Sequence, residues 1–294
     1  MPRLFLLRAY GDFVIAIRSI LLTQAPEKIQ IIASNHLYPL FEAISEVVDT
    51  TQLNISFEDF EIKNSQLNLF TNRHLFNSET LKQIKKIKTY LINHPNSDTS
   101  KDYLEQKSRK NIFQKLIGTK FESIVNHHQV YAEYAKFFEI EQKEFQDILV
   151  NNMKSQKKIL VLPDARINKR NLPQETIQAI IQEVNEKNQE IKVAYFKRVS
   201  QVNKRGQAIK VQIKTDLKFN QTVYHNFKEL IALILEADFV FGADSLPIHL
   251  CQFFNKPHYI LYPQNGHKYF FTPYTLKRNY YSEFDEFLVS SIPF

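Results

Sequence analysis

A chain of 294 residues, 44 % hydrophobic and 23 % charged, is long enough for two domains with their own cores and too apolar to be disordered. A formal net charge of +7 favours anionic partners such as nucleotide or lipid phosphates, yet no run of like charge is long enough for a nucleic-acid tail. A single cysteine, Cys251, excludes an intrachain disulfide and a cysteine-rich metal site, and no apolar stretch approaches the ~20 residues of a membrane span.

Residues 3–8 form an apolar strand candidate, and a turn is expected at 9–12. From Phe13 the apolar positions Phe13, Val14, Ile17, Ile20 and Leu21 follow helical spacing, ending before Pro26. Residues 29–33 supply a second strand, so the chain opens β-α-β without a signal-peptide layout, which predicts a cytoplasmic protein. The Lys- and Glu-rich stretch 78–150 is largely helical in pattern. Residues 127–138 within it put aromatics on one face and lead to a linker near 151–156. The alternation then restarts: strand 158–162, a polar loop 163–172, a helix from Pro173 to about Asn188 and strand 191–196. A weak strand at 211–213 follows, then helix 227–236, strand 239–241, helix 247–254 and strand 258–261. Strands separated by helices of this length predict an α/β protein with two parallel sheets, one in residues 1–152 and one in 153–294, with a cleft between them.

Only five glycines serve the chain, so each is expected to mark a turn where a Cβ does not fit. Gly11 opens Gly-Asp-Phe, Gly242 sits in Phe-Gly-Ala-Asp-Ser-Leu-Pro-Ile-His-Leu (241–250), and Gly266 lies in Tyr-Pro-Gln-Asn-Gly-His-Lys (262–268). The 241–250 run reads strand, turn, helix, with Pro247 suited to a first helical turn. A helix start there presents N–H groups and the positive end of a dipole to an anion. Ser245 adds a hydroxyl, and His249, about one turn in, is placed to face the same anion. Each residue also has a plainer role: Asp244 or Ser245 as the helix cap and His249 as core packing. Their joint position at the carboxyl end of a strand, where open α/β sheets bind ligands, favours function. No carboxylate pair has metal-ligand spacing, and the adjacent His127 and His128 cannot share one helix face, so no metal or cofactor is expected.

The 241–250 run resembles the signature of the heptosyltransferase family, glycosyltransferase family 9. The opening strand followed by Gly11-Asp12 and an amphipathic helix resembles that family too. So do Leu-Pro-Asp-Ala-Arg-Ile-Asn-Lys-Arg-Asn-Leu-Pro (162–173) and the loop 261–274. The resemblance implies a GT-B fold, two Rossmann-like domains with parallel sheets facing across a cleft. The N-terminal domain would bind the acceptor and the C-terminal domain the nucleotide sugar. It further implies an inverting glycosyltransferase that moves a heptose or similar sugar from a nucleotide-sugar donor, an ADP-sugar foremost, to a lipopolysaccharide-type or other glycan acceptor. Asp12 would be the general base, although aspartate is also a favoured helix cap. Lys169 would neutralise the leaving diphosphate, with Arg166 from the same loop also at the donor. Asp244 would bind sugar hydroxyls, and Ser245, Leu246 and His249 would surround the phosphates. The positive charge would aid peripheral contact with an anionic membrane surface on the cytoplasmic side, and no nucleic acid is implied.

Several positions depart from the family pattern, among them Ala165 beside Asp164 and the loop 262–268, which lacks the usual Gly-Pro order. Leu246 stands where glycine is usual, and its side chain crowds a close approach of phosphate to the backbone. Leu172 replaces the tryptophan before Pro173, and Asp164 puts negative charge into the phosphate loop. They sustain a second reading, a catalytically inactive GT-B shell that binds a nucleotide, glycan or partner protein.

Overall fold

The computed structural model describes residues 3–6, 10–58, 89–92, 121–123, 130–140, 157–165, 170–186, 189–196, 219–264, 266, 268 and 270–287. The chain packs as two compact units, Met1–Phe145 with His267–Pro273, and Gln146–Gly266 with Tyr274–Phe294. The expected linker at 151–156 and the weak strand at 211–213 lie outside the described residues.

The first unit runs β1 (Arg3–Leu6), α1 (Tyr10–Leu21), β2 (Gln30–Ser34), α2 (Tyr38–Ser45), β3 (Asn54–Glu58), β4 (Thr89–Ile92), β5 (Phe121–Ser123) and α3 (Val130–Phe138). Its sheet has the order β3-β2-β1-β4-β5, every pairing parallel. The chain therefore starts in the middle, winds to one edge and returns to wind to the other. α1 is buried continuously from Phe13 to Ile20, because the helix packs on the sheet and α3 packs on the helix. That double burial explains why its apolar residues exceed one stripe. Even Arg18 is buried here, its guanidinium 5.7 Å from the centre of the Tyr131 ring.

The second unit runs β6 (Lys158–Leu162), α4 (Gln174–Glu186), β7 (Glu190–Phe196), β8 (Asn220–Tyr224), α5 (Phe227–Glu236), β9 (Phe239–Ala243), α6 (Leu246–Phe253), β10 (His258–Tyr262), α7 (Pro273–Arg278) and β11 (Tyr281–Glu283). The sheet order is β11-β10-β9-β6-β7-β8, again parallel throughout. β9 and β10 are buried at every residue, which is why they read as unbroken apolar runs rather than alternating ones. α5 is capped by Asn226, whose side chain accepts from the Glu229 N–H, while the Glu229 carboxylate accepts from the His225 N–H and the Asn226 amide. At the amino edge the Asp238 carboxylate accepts from the N–H groups of Lys157 and Lys158, both at 2.9 Å, tying β6 to β9. Those bonds, led by that of Lys158, hold the Asp238 carboxyl below the usual carboxylate range.

Several expectations are corrected. The stretch 78–150, read as largely helical, contains the strands β4 and β5. β4 is a four-residue apolar run, Thr-Tyr-Leu-Ile, too short to stand out against a lysine-rich background. β8 went unread because an edge strand exposed along most of its length carries Asn, Gln and Thr. α1 begins at Tyr10, so residues 10–12 of the expected turn are helix, and Asp12 is its third residue rather than its cap.

Gly242 is not a turn residue either. It lies inside β9, and a Cβ there would stand 2.8 Å from Ile248 Cδ1 and 2.9 Å from Cγ1. The missing side chain thus admits α6 close to the sheet. Gly242→Ala is expected to destabilise the second unit by about 1–3 kcal/mol, since the buried Ile248 has no room to retreat. Urea unfolding measures it, and Ile248→Val in the same chain should recover part of the loss.

Candidate functional site

In doubly wound sheets ligands bind beyond the carboxyl ends of the strands, where the winding direction reverses. That point lies between β6 and β9 in the second unit and between β1 and β4 in the first. The sequence-predicted residues that are described fall at these two places.

In the second unit the loop after β6 and the turn after β9 are bonded to each other. The Ser245 hydroxyl stands 3.1 Å from the Asp164 carbonyl and 3.2 Å from that of Ala243, its two acceptors. Ser245 occupies the cap position of α6 with extended backbone, but its side chain makes no cap bond. The cap role weighed for it from sequence is therefore not what its hydroxyl does. Pro247 brings no N–H, and the amides of Ile248 and His249 turn to the Ser245 carbonyl. The Ser245 and Leu246 amides lie ahead of the first helical bond, where N–H groups are offered outward.

Asp244 is buried, with its side chain 5 % exposed, and pairs at 3.5 Å with the Arg170 guanidinium, which is 26 % exposed. Arg170 lies in the loop between β6 and α4, so the ion pair spans the reversal point. Sequence reasoning missed it. It picked Lys169 and Arg166 from that loop, and both lie outside the described residues. The available signal was the Lys169-Arg170 doublet itself, but nothing local singles out Arg170 as the partner of Asp244.

Asp164 does not serve as a bare charge in the loop. Its carboxylate accepts from the Phe196 N–H at 2.8 Å, joining the carboxyl ends of β6 and β7. The Asn171 side chain accepts from the Ala165 N–H at 2.8 Å, and the Leu172 N–H donates to the Pro163 carbonyl at 2.9 Å. These bonds pin both ends of the loop. The buried Leu172 fills core where the family has tryptophan. Burial, then the Asp164 charge, pushes the Tyr195 hydroxyl well above its ordinary value, so it stays protonated.

His249 is buried within α6, its Nδ1 3.3 Å from Gln252 Oε1. An amide oxygen only accepts, so Nδ1 carries the proton in this arrangement. Leu246, half-buried, is the first residue of α6 and has no positive φ, so glycine is not required there by the backbone.

In the first unit Asp12 lies half-buried in the first turn of α1, just beyond the carboxyl end of β1. Tyr134 of α3 is buried near it and stacked on Phe138 at 5.9 Å. Burial, followed by the Asp12 and Tyr131 charges, keeps the Tyr134 hydroxyl protonated far above the normal tyrosine range. Asp12 thus lies close to the buried aromatic face of α3. Among the described residues no group of His, Cys, Asp or Glu is placed to hold a metal ion. Among them too, no helix is long and apolar enough to cross a membrane.

Residues 105–286, more than half of the chain, match the family profile of glycosyltransferase family 9 (heptosyltransferase). No curated protein matches in sequence. Among solved structures the fold is similar to the glycosyl transferase family 9 protein of Veillonella parvula, at TM-score 0.58 and 13 % identity over 96 % of this chain and 84 % of that one. It is also similar to the ADP-heptose lps heptosyltransferase II of E. coli, at TM-score 0.52 and 12 % identity over 96 % and 90 %. A third is the E. coli heptosyltransferase WaaC with ADP-2-deoxy-2-fluoro heptose, at TM-score 0.50 and 10 % identity over 90 % and 89 %. The α/β fold with two parallel sheets is that of the GT-B glycosyltransferases, and the chain belongs to glycosyltransferase family 9, the heptosyltransferase family.

Proposed function

We propose that this protein is an inverting glycosyltransferase whose second unit holds a nucleotide-sugar donor and whose first unit meets a glycan or glycolipid acceptor. The Asp12 carboxylate takes the proton of the acceptor hydroxyl as its oxygen attacks the anomeric carbon. The bond from that carbon to the diphosphate breaks, and the nucleoside diphosphate leaves with the electron pair. The start of α6 and Arg170 stabilise the growing negative charge, with Lys169 and Arg166 as further cations of the same loop. Asp244, buried and held by Arg170, receives sugar hydroxyls.

The observation that carries this reading is the Arg170–Asp244 pair beside the α6 N-terminus. It brings a cation, a carboxylate and outward amides together at the sheet reversal. An ADP-sugar is the first donor to test, because the E. coli WaaC structures hold ADP and an ADP-heptose analogue. A lipopolysaccharide-type acceptor follows from the same family, with peripheral contact at the inner membrane face aided by the net charge of +7. Leu246 favours the second reading, a shell without transfer activity.

Calorimetric titration with ADP, GDP, UDP and CMP, without metal and then with magnesium, tests the donor site, and release of the bound nucleotide from its sugar conjugate in the presence of a glycan acceptor separates the two. Saturable binding of one nucleotide, lost in Lys169→Ala, supports a working donor site. Absence of binding at millimolar concentration would leave the inactive shell. Leu246→Gly should then restore affinity if the leucine side chain is what blocks the phosphate.

A further inference from the structure

The carboxyl edge of the first sheet carries a group of rings that the transfer chemistry does not use. Tyr10 is the first residue of α1, His36 follows β2, Tyr38 opens α2, and Phe57 stands near the end of β3. Three stretches separate in sequence thus deliver rings to one edge, beside the first helical turn of α1 that bears Asp12. The Tyr10 and His36 rings meet edge to face at 5.7 Å, and the Tyr10 hydroxyl donates to the His36 carbonyl at 3.2 Å. His36 Nδ1 lies 2.8 Å from the Ser34 hydroxyl. Tyr38 and Phe57 meet edge to face at 5.2 Å, and Phe57 rests on Phe41 and on the buried Phe13 at 5.3 and 6.5 Å. The group therefore has a fixed, buried root and an open rim. Tyr38 is 48 % exposed, and the His36 side chain is exposed as well.

Rings held rigidly at an open edge suit a ligand with one apolar face and polar groups around it. The C–H-bearing face of a sugar ring fits that description, with its hydroxyls reaching the tyrosine hydroxyl and the imidazole. Charge decides against a phosphate or a lipid headgroup. The charged side chains that follow these rings in α2 and β3 are Glu42 and Glu58, both acidic, and an anion would be repelled there. We propose that Tyr38, with His36 and Tyr10, forms an acceptor subsite that stacks an uncharged sugar ring next to Asp12. The inference rests on the glycosyltransferase reading above and deepens it by naming the acceptor's reacting end as a neutral saccharide.

Saturation-transfer magnetic resonance on the full chain tests it, irradiating the aromatic protons. The probes are methyl β-D-glucopyranoside, methyl α-D-mannopyranoside and glucose 6-phosphate. Saturation should reach the ring C–H protons of at least one neutral glycoside. It should fall at least about threefold in Tyr38→Ala and in His36→Ala while persisting in Tyr38→Phe. Tyr38 is largely at the surface, so folding should survive, which the unchanged amide spectrum of the second unit would show. The same signal in Tyr38→Ala, no signal from either glycoside, or a stronger one from glucose 6-phosphate would overturn the subsite. Nucleotide calorimetry on the same samples keeps the two readings apart. A preparation that binds nucleotide but no glycoside rejects the aromatic subsite alone. One that binds glycoside through Tyr38 but no nucleotide upholds the subsite and rejects the transferase.

Discussion

Asp12→Asn is expected to lower the transfer rate by about 10²–10⁴-fold, the range over which a positioned general base acts. Nucleotide affinity should stay unchanged, because Asp12 belongs to the first unit and the proposed donor groups to the second. Asparagine keeps the size of the side chain and the third position of α1, so packing against α3 is retained. The folding cost is confined to the favourable interaction between a carboxylate and the start of a helix, about 0.3–1 kcal/mol. A large loss of rate with a small loss of stability is therefore the signature of a base. A cap or packing residue would give the reverse. Turnover by Asp12→Asn within about tenfold of the parent would remove Asp12 from the proton transfer.

The sequence made the skeleton legible where burial was complete. Lys158–Leu162, Phe227–Glu236 and the strand beginning at Phe239 read correctly because a buried parallel strand or a strongly amphipathic helix leaves an unbroken local signature. β8 and β5 failed for the opposite reason. Each is short and owes its extended state to a neighbour, Lys192–Phe196 for one and Thr89–Leu91 for the other, far away in sequence. The site divided along the same line. Asp244 and Ser245 could be placed at the end of a strand by local pattern alone. What they do there depends on residues about 80 positions away or across a loop: Ser245 bonds to Asp164, and Asp244 to Arg170. Gly242 shows the limit clearly, since its scarcity signalled a close approach while the partner, Ile248, is a side chain and not a ligand.

The Arg170–Asp244 pair carries the second large expected effect. Arg170→Ala takes the guanidinium away from a carboxylate that is almost wholly buried. For fully buried pairs such removal costs about 3–5 kcal/mol, and water reaching Arg170 should reduce this to about 2–3 kcal/mol in unfolding of the second unit. Asp244→Asn in the Arg170→Ala background should return much of that stability, because the buried charge is then gone. A double-mutant cycle reads the coupling directly. Ligand binding divides the two residues differently. A guanidinium has five N–H donors, and a single contact with Asp244 leaves others for a diphosphate. Arg170→Ala should therefore weaken binding of the free nucleoside diphosphate by at least about tenfold, the loss of one charge-assisted contact. Asp244→Asn should leave the diphosphate bound and weaken only the nucleotide sugar, if its hydroxyls are received there as proposed. If Arg170→Ala lowers stability yet binds nucleoside diphosphate as the parent does, the pair is a strut between the β6 and β9 loops, and the phosphate cation must come from Lys169 or Arg166. If both ligands weaken equally in both variants, the pair shapes the site as a whole, and separate roles for phosphate and sugar are wrong.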